Sequence, residues 1–136
     1  MKILAVDYGE RRTGVAVSDD IGITAQGHDT IEVKDEGEIP ARIASLAAET
    51  RAERIVVGLP LNMNGTESEK SAKVRVVGDE IARMTSLPVV FWDERMTSQQ
   101  AHRIMRETGV KTKGNKGQID RITATLILQE YLRTVV

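Results

Sequence analysis

Four carboxylates in this chain stand where an apolar strand or helix pattern begins or ends: Asp7, the consecutive pair Asp93 and Glu94, and Asp120. An ionised acid at the end of a buried run is costly to desolvate unless a metal ion, an arginine or backbone N–H groups pair with it. The chain has no cysteine, and its two histidines, His28 and His102, lie far apart in sequence. A thiolate zinc site, a cysteine nucleophile and a disulfide framework are thereby excluded, and a histidine-based metal site or Ser-His-Asp triad is disfavoured. Carboxylates alone make a hard, all-oxygen site of the kind that takes Mg²⁺ or Mn²⁺. Two such ions roughly 3.5–4 Å apart can activate a water and stabilise the leaving oxygen of a phosphodiester. Each acid also has an ordinary use. Asp7 can accept hydrogen bonds from its own turn, Asp93 and Glu94 can pair with Arg95, and an acid such as Asp120 near a helix start is favoured by the helix dipole.

The elements that must position these acids are legible from hydrophobic periodicity. Ile3, Leu4, Ala5 and Val6 form an unbroken apolar run ending at Asp7, the pattern of a strand buried on both faces. A charged turn at 8–14 leads into a second strand over 15–18, and 23–33 reads as a third, edge strand. After a charged turn at 35–38, apolar residues at Ile39, Ile43, Leu46 and Ala47 recur at helical spacing over 38–50, with Pro40 in the first turn. A fourth strand spans 54–60. Thr66 and Glu69 have the spacing of a capping box for a second long helix carrying Val74, Val77, Ile81 and Met84. A fifth strand ends at Trp92, just before Asp93-Glu94-Arg95. Thr97 and Gln100 then suggest another capping box, with Gly109 as C-cap. Residues 110–117 (VKTKGNKG) read as a basic mobile loop, and 118–135 as a last helix with Ile119, Ile122, Leu126 and Leu132 among its apolar positions.

The order β-β-β-α-β-α-β-α-α predicts a mixed sheet: three hairpin-connected strands, then βα units with right-handed parallel crossovers, and helices on the sheet's faces. In such a sheet the carboxyl ends of parallel strands share one edge, where ligands bind. Asp7 and the Asp93-Glu94 pair meet there, and Asp120 joins them if the last helix packs with its N-terminus at that edge, where Thr123 and Ala124 leave room beside it. Gly9 and Gly14 either let backbone approach this edge closely or serve the turn geometry.

A length of 136 residues and a 40% apolar composition fit one domain with one core, built with only four aromatic side chains. No apolar run approaches the ~20 residues of a membrane span, and the expectation is a cytoplasmic chain without membrane contact. The net charge of -1 argues against a uniformly basic nucleic-acid binder. It conceals an uneven distribution. Residues 1–49 hold ten acids against five Lys/Arg, whereas 95–121 hold seven Lys/Arg against two acids. One cationic face is therefore available, although solvated helix and loop charges account for the same numbers.

Four blocks in order, DYGERRTGVAVSD (7–19), IVVGLPLNMNGTE (55–67), DERMTS (93–98) and KGQIDRITATLILQEYL (116–132), resemble the YqgF/RuvX family of RuvC-like Holliday junction resolvase homologues, named as pre-16S rRNA nucleases. The resemblance covers residues 1 to about 132. It implies an α/β, RNase H-like fold: a five-stranded mixed sheet with strands 1–3 antiparallel, strands 4 and 5 parallel to strand 1, and helices on both faces, in one nuclease domain over 1–136. It implies Asp7, Glu94 and Asp120 as catalytic residues and ligands of Mg²⁺ or Mn²⁺, expected as two ions, with Asp93 behind Glu94. RuvC-like enzymes often present two carboxylates at the last position, and this chain has Asp120 alone in that helix turn. Arg11, Arg12, Arg95, Lys111, Lys113 and Lys116 are the expected phosphate contacts, with Arg103 adding to that surface. Asn62, Asn64 and Thr66 are placed to line the site. Trp92 and Tyr8 are candidates for stacking on bases, with a core role favoured for Trp92; His102 reads as an ordinary surface residue. The implied activity is phosphodiester hydrolysis in 5′-end processing of pre-16S rRNA. The alternatives are resolution of Holliday junctions or branched DNA, and a ribosome-assembly or transcription factor with weak or no catalysis. A phosphate-binding DYGERRTG turn of the sugar-kinase type is disfavoured, because that design closes two domains over ATP. The partners are pre-rRNA or branched or single-stranded DNA, and ribosomal precursor particles, bound by a monomer or a homodimer.

The basic segment carries its own test. Replacing Lys111, Lys113 and Lys116 with Ala should weaken nucleic-acid binding and reduce the slope of log K against log [salt] by about 1–3, read by titration at several salt concentrations. An unchanged slope removes this segment from the binding surface.

Overall fold

β1 (Ile3–Asp7) is central because its apolar run is buried on both faces. The computed structural model describes residues 1–95, 97–108 and 116–135. β1 pairs antiparallel with β2 (Arg12–Ser18), which pairs antiparallel with β3 (Ala25–Glu32). On its other side β1 pairs parallel with β4 (Arg54–Leu59), and β4 parallel with β5 (Val89–Asp93). The five strands lie in the order β3-β2-β1-β4-β5, which leaves β3 at an edge as expected. The third strand is shorter than 23–33: Asp19 Oδ1 accepts from the backbone of Ile23 and Thr24, so those residues belong to a turn.

Alternation along the central strands splits the core in two. Leu4, Val6, Val15, Ile55 and Val57 face one side, where α1 (Ile39–Thr50) and α2 (Glu69–Thr85) bring Ile39, Ile43, Leu46, Val74 and Ile81. Ile3, Ala5, Ala16 and Val56 face the other, covered by Ala124, Ile127, Leu128, Tyr131 and Leu132 of α4 (Lys116–Val135). α3 (Thr97–Glu107) buries Ala101 and Met105 completely. Burying each large aliphatic chain contributes about 1.5–3 kcal/mol, so these two layers hold the sheet between its helices.

Several local expectations change. Residues Glu36–Glu38 form a 3₁₀ turn capped by Asp35, whose Oδ1 accepts from Gly37 N at 2.9 Å, and α1 begins after it. α2 is capped by Ser68 with Ser71, not by Thr66 with Glu69. Thr66 is already engaged: its hydroxyl donates to Asn64 Oδ1 at 2.6 Å and accepts from Asn62 Nδ2 at 3.0 Å. The LNMNGT loop thus closes on itself, and Asn62, Asn64 and Thr66 serve its turns. α4 begins at Lys116, two residues early, so Asp120 falls in the second turn, beyond the strongest part of the dipole. The buried face of α4 centres on Thr123, Ala124, Ile127, Leu128 and Tyr131 rather than on Ile119, Ile122 and Leu126, which are half-buried. Apolar residues surround most of this helix, so periodicity alone mis-set its face. Met84 is likewise exposed. The Gly109 cap and Lys111 and Lys113 lie outside the described residues.

Gly14 sets how closely α4 can approach the sheet. It pairs with Asp7 across the β1–β2 ladder, and a Cβ there would fall onto the backbone oxygen of Asp120. Its φ is not positive, so close approach rather than turn geometry explains the glycine. Gly14→Ala must push α4 outward. It should lower stability by about 1–3 kcal/mol, read as a fall in the thermal midpoint. A midpoint within one degree of the parent would show that α4 can slide without cost.

Candidate active site

The C-terminal ends of β1, β4 and β5 meet at one edge. Val6 pairs with Val57, so the next residues, Asp7 and Gly58, emerge side by side. Gly58 pairs with Trp92 and Leu59 with Asp93, which brings the β5 exit to the same edge. Alternation places Asp7 on the face of Ile3 and Ala5, the side covered by α4. Asp7, Glu94 and Asp120 are thus brought together, each through a different element.

Glu94 is 7% exposed. Its N–H donates to Leu59 O at 3.2 Å, its carbonyl accepts from Thr97 N at 2.9 Å, and its carboxylate folds back over Gly58. A Cβ on residue 58 would strike that carboxylate and would stand 2.7 Å from Ile127 Cδ1, so Gly58 is the floor on which Glu94 rests. Buried Glu94 Oε2 has no hydrogen-bond partner among the described residues. Asp93 points elsewhere: it is exposed, and its Oδ2 accepts from Arg95 Nε at 2.8 Å. Of the adjacent acids, Glu94 is therefore the one turned inward, and Arg95 holds Asp93 below its ordinary carboxylate range.

Asp120 is half-buried and lies 3.9 Å from Arg12 Nε, a buried nitrogen with no hydrogen-bond partner among the described residues. Arg12 thus faces an acid of the cluster, whereas Arg11 is exposed. Burial raises all three carboxyls above their usual values, Asp7 most of all. The charges of Glu94 and Asp120 raise Asp7 further. One cation opposes this at every acid. Lys70, in the first turn of α2, lowers Asp7, Glu94 and Asp120 alike, although its side chain is exposed and makes no ion pair among the described residues. Sequence reasoning missed Lys70; the only available signal was its nearness to the β4 exit, which Ser68 Oγ confirms by donating to Pro60 O at 2.7 Å.

Among the described residues no three His, Cys, Asp or Glu side chains converge tightly enough to hold an ion as they lie. The donor chemistry nevertheless fits a hard divalent cation: carboxylate oxygens only, one of them buried and unsatisfied, repelling each other in a dry setting. Tyr8 is not available for stacking. It is 3% exposed, its hydroxyl donates to Glu36 Oε2 at 3.0 Å, and burial with that bond pushes its pKa up to about 12. Trp92 is half-buried and packs edge-to-face on Tyr131 with centroids 5.8 Å apart. His102 and Arg103 are exposed on α3, and Lys116 stands in the first turn of α4.

A family model described as a Holliday junction resolvase, RuvX, matches residues 1–134. A protein of Agathobacter rectalis bearing the name of a pre-16S rRNA nuclease is 45% identical over 135 residues, covering 97% of this chain and 94% of that one. One from Listeria monocytogenes with the same name is 39% identical over 136 residues, covering 98% and 99%. Among solved structures, Thermus thermophilus RuvC bound to a Holliday junction substrate aligns with a TM-score of 0.60 at 18% identity, over 99% of this chain and 96% of that one. The fowlpox virus resolvase bound to Holliday junction DNA gives 0.64 at 11% identity, over 100% and 99%. These likenesses identify the fold as RNase H-like and RuvC-like.

The raised carboxyls have a thermal consequence. A carboxyl whose pKa is higher in the folded chain contributes stability below its unfolded pKa of about 3.9, and loses it as pH rises through the folded value. Without divalent ions, Asp7→Asn should therefore raise the thermal midpoint at pH 7 by ~4 °C, about 1 kcal/mol, with the gain shrinking as pH falls into the range where Asp7 is protonated. Millimolar Mg²⁺ or Mn²⁺ should raise the parent's midpoint more than the variant's. A variant less stable than the parent at pH 7 in chelator would contradict the repulsion.

Proposed function

The chain belongs to the RuvX family of Holliday junction resolvases, and from that premise we propose a metal-dependent nuclease that hydrolyses phosphodiester bonds at Asp7, Glu94 and Asp120. The observation that carries this reading is the unsatisfied Glu94 Oε2 buried beside Asp7, an arrangement that chain folding alone does not reward. Processing of the 5′ end of pre-16S rRNA is the physiological reaction we favour, because close relatives of full length carry that name. It would be performed in the cytoplasm, on precursor particles, by one RNase H-like domain. No helix among the described residues is long and apolar enough to cross a membrane. Cleavage of branched DNA is the second reading, and the family model's own description favours it.

Asp7, Glu94 and Asp120 would hold Mg²⁺ or Mn²⁺, two ions in the expected arrangement. When bound, such ions supply Lewis-acid activation of water and neutralise charge at the phosphate. Among the described residues, two hydroxyls near the acids are not free to compete as nucleophiles: that of buried Thr13 donates to Gly9 O at 3.2 Å, and Thr123 is buried on the inner face of α4. In this reading water would be the nucleophile. Lys70 projects positive potential over all three acids without being tied to any of them, which suits a cation that meets the phosphate itself. Arg12, already opposite Asp120, is placed to steady that acid and share the same phosphate.

Labelled precursor RNA, single-stranded DNA and four-way junctions, each incubated with Mn²⁺, Mg²⁺ or chelator, test the assignment. Cleavage should require the metal and fall by at least ~100-fold in Asp7→Asn, Glu94→Gln and Asp120→Asn. Lys70→Ala should cleave about 10-fold more slowly while binding the ion no more weakly, since it removes a like charge. Metal-dependent cleavage surviving both aspartate substitutions would refute the site, and intact binding without any cleavage would favour the assembly-factor reading.

A further inference from the structure

At the end of β5 an open cleft of ≈ 390 Å³ is lined by Asp93 and Arg95, the residues on either side of Glu94, and its volume lies within the ~300–1,000 Å³ typical of small-ligand sites. Three of its walls offer flat or soft faces: Trp92, Met63 and Arg95. Trp92 is held rigid from behind by Tyr131, whose hydroxyl accepts from Arg54 at 2.7 Å. The Arg95 guanidinium is clamped between Asp93 Oδ2 at 2.8 Å and the Met63 carbonyl at 3.2 Å, which fixes its plane. Thr97 and Gln100 add hydrogen-bonding groups to the lining.

Charge decides what such a cleft can accept. Asp93 and Glu130 also line it, and Arg95 is already paired with Asp93. A phosphate would meet two carboxylates and one committed guanidinium, an unfavourable balance. An uncharged planar ring can stack on the indole or guanidinium and hydrogen-bond to Thr97 and Gln100 at no electrostatic cost.

We propose that this cleft seats one unstacked nucleobase of the strand whose phosphate lies at Asp7, Glu94 and Asp120. This rests on the nuclease reading and deepens it. Because Asp93 lines the cleft and Glu94, the next residue, faces the acids, the base belongs to a nucleotide flanking the cut. A base within a continuous duplex must be unpaired and unstacked to enter, so the site selects single-stranded, looped or junction-flanking positions.

Trp92 is the chain's sole tryptophan, so its emission reports on the cleft directly. Wild-type protein in chelator is titrated with a fluorescein-labelled single-stranded tetranucleotide, and in parallel with an abasic sugar-phosphate chain of the same length and charge. Indole emission is read beside the anisotropy of the label. The intact strand should quench Trp92 saturably, in step with its anisotropy, and the abasic chain should bind about 10-fold more weakly without quenching. Gln100→Ala should weaken the intact strand and leave the abasic chain unchanged. Equal affinity and equal quenching by the two chains would overturn the cleft while leaving the nuclease reading standing if metal-dependent cleavage persists. Failure to bind either chain, together with failure to cleave, would remove both.

Discussion

Mutual repulsion among Asp7, Glu94 and Asp120 in a poorly solvated pocket is the constraint on which the rest of the structure depends. At an effective dielectric constant of about 20, two unit charges ~4 Å apart interact by about 4 kcal/mol, a sizeable share of the total stability of an ordinary domain. A fold that evolved only for stability would separate these acids or cover them with arginine. Here the cations are graded: Arg12 faces Asp120 at 3.9 Å, Lys70 acts from farther away, and Glu94 Oε2 has no hydrogen-bond partner among the described residues. The cluster is held short of neutralisation.

Holding it there requires stiffness on every side. The turn after β1 is tied to the helical layer through Tyr8 and Glu36, and through Lys73, which reaches Glu10 at 2.8 Å and Glu36 at 2.7 Å. Each surface pair contributes little singly, but together they bind three separate segments. Behind the acids, Gly14 and Gly58 allow α4 and the Glu94 carboxylate to sit closer to the sheet than any side chain would permit. The site is thus shaped as much by missing Cβ atoms as by the carboxylates present.

Much of this architecture was legible in the chain. The unbroken ILAV run marked β1 as central, and short apolar runs before GLP and WDER marked the parallel strands, so the shared edge of Asp7 and the Asp93-Glu94 pair followed from topology, which did not choose between the two adjacent acids. What escaped were features decided by competition or by distance. Thr66 has a good capping spacing, but Asn62 and Asn64 claim it within the loop, and Ser68 takes the cap instead. The buried face of α4 was displaced because apolar residues surround the helix and only contact with the sheet selects among them. Tyr8 carried an aromatic ring beside a charged turn, and nothing in the sequence announced Glu36, 28 positions away, as its partner. Lys70 lies within an ordinary polar helix start, and its meaning depends on where that start is docked.

The anchoring of α4 to the edge strand has a wider consequence. Thr30 Oγ1 donates to Gly117 O at 2.6 Å, and Arg121 reaches across to His28 O at 3.0 Å and Asp29 Oδ1 at 2.9 Å, with its stem lying over Gly27. These bonds fix the beginning of α4, and hence Asp120, from β3 rather than from the chain that enters the helix. The strand at the sheet's edge thus sets the position of an acid whose backbone rests against Gly14 of β2.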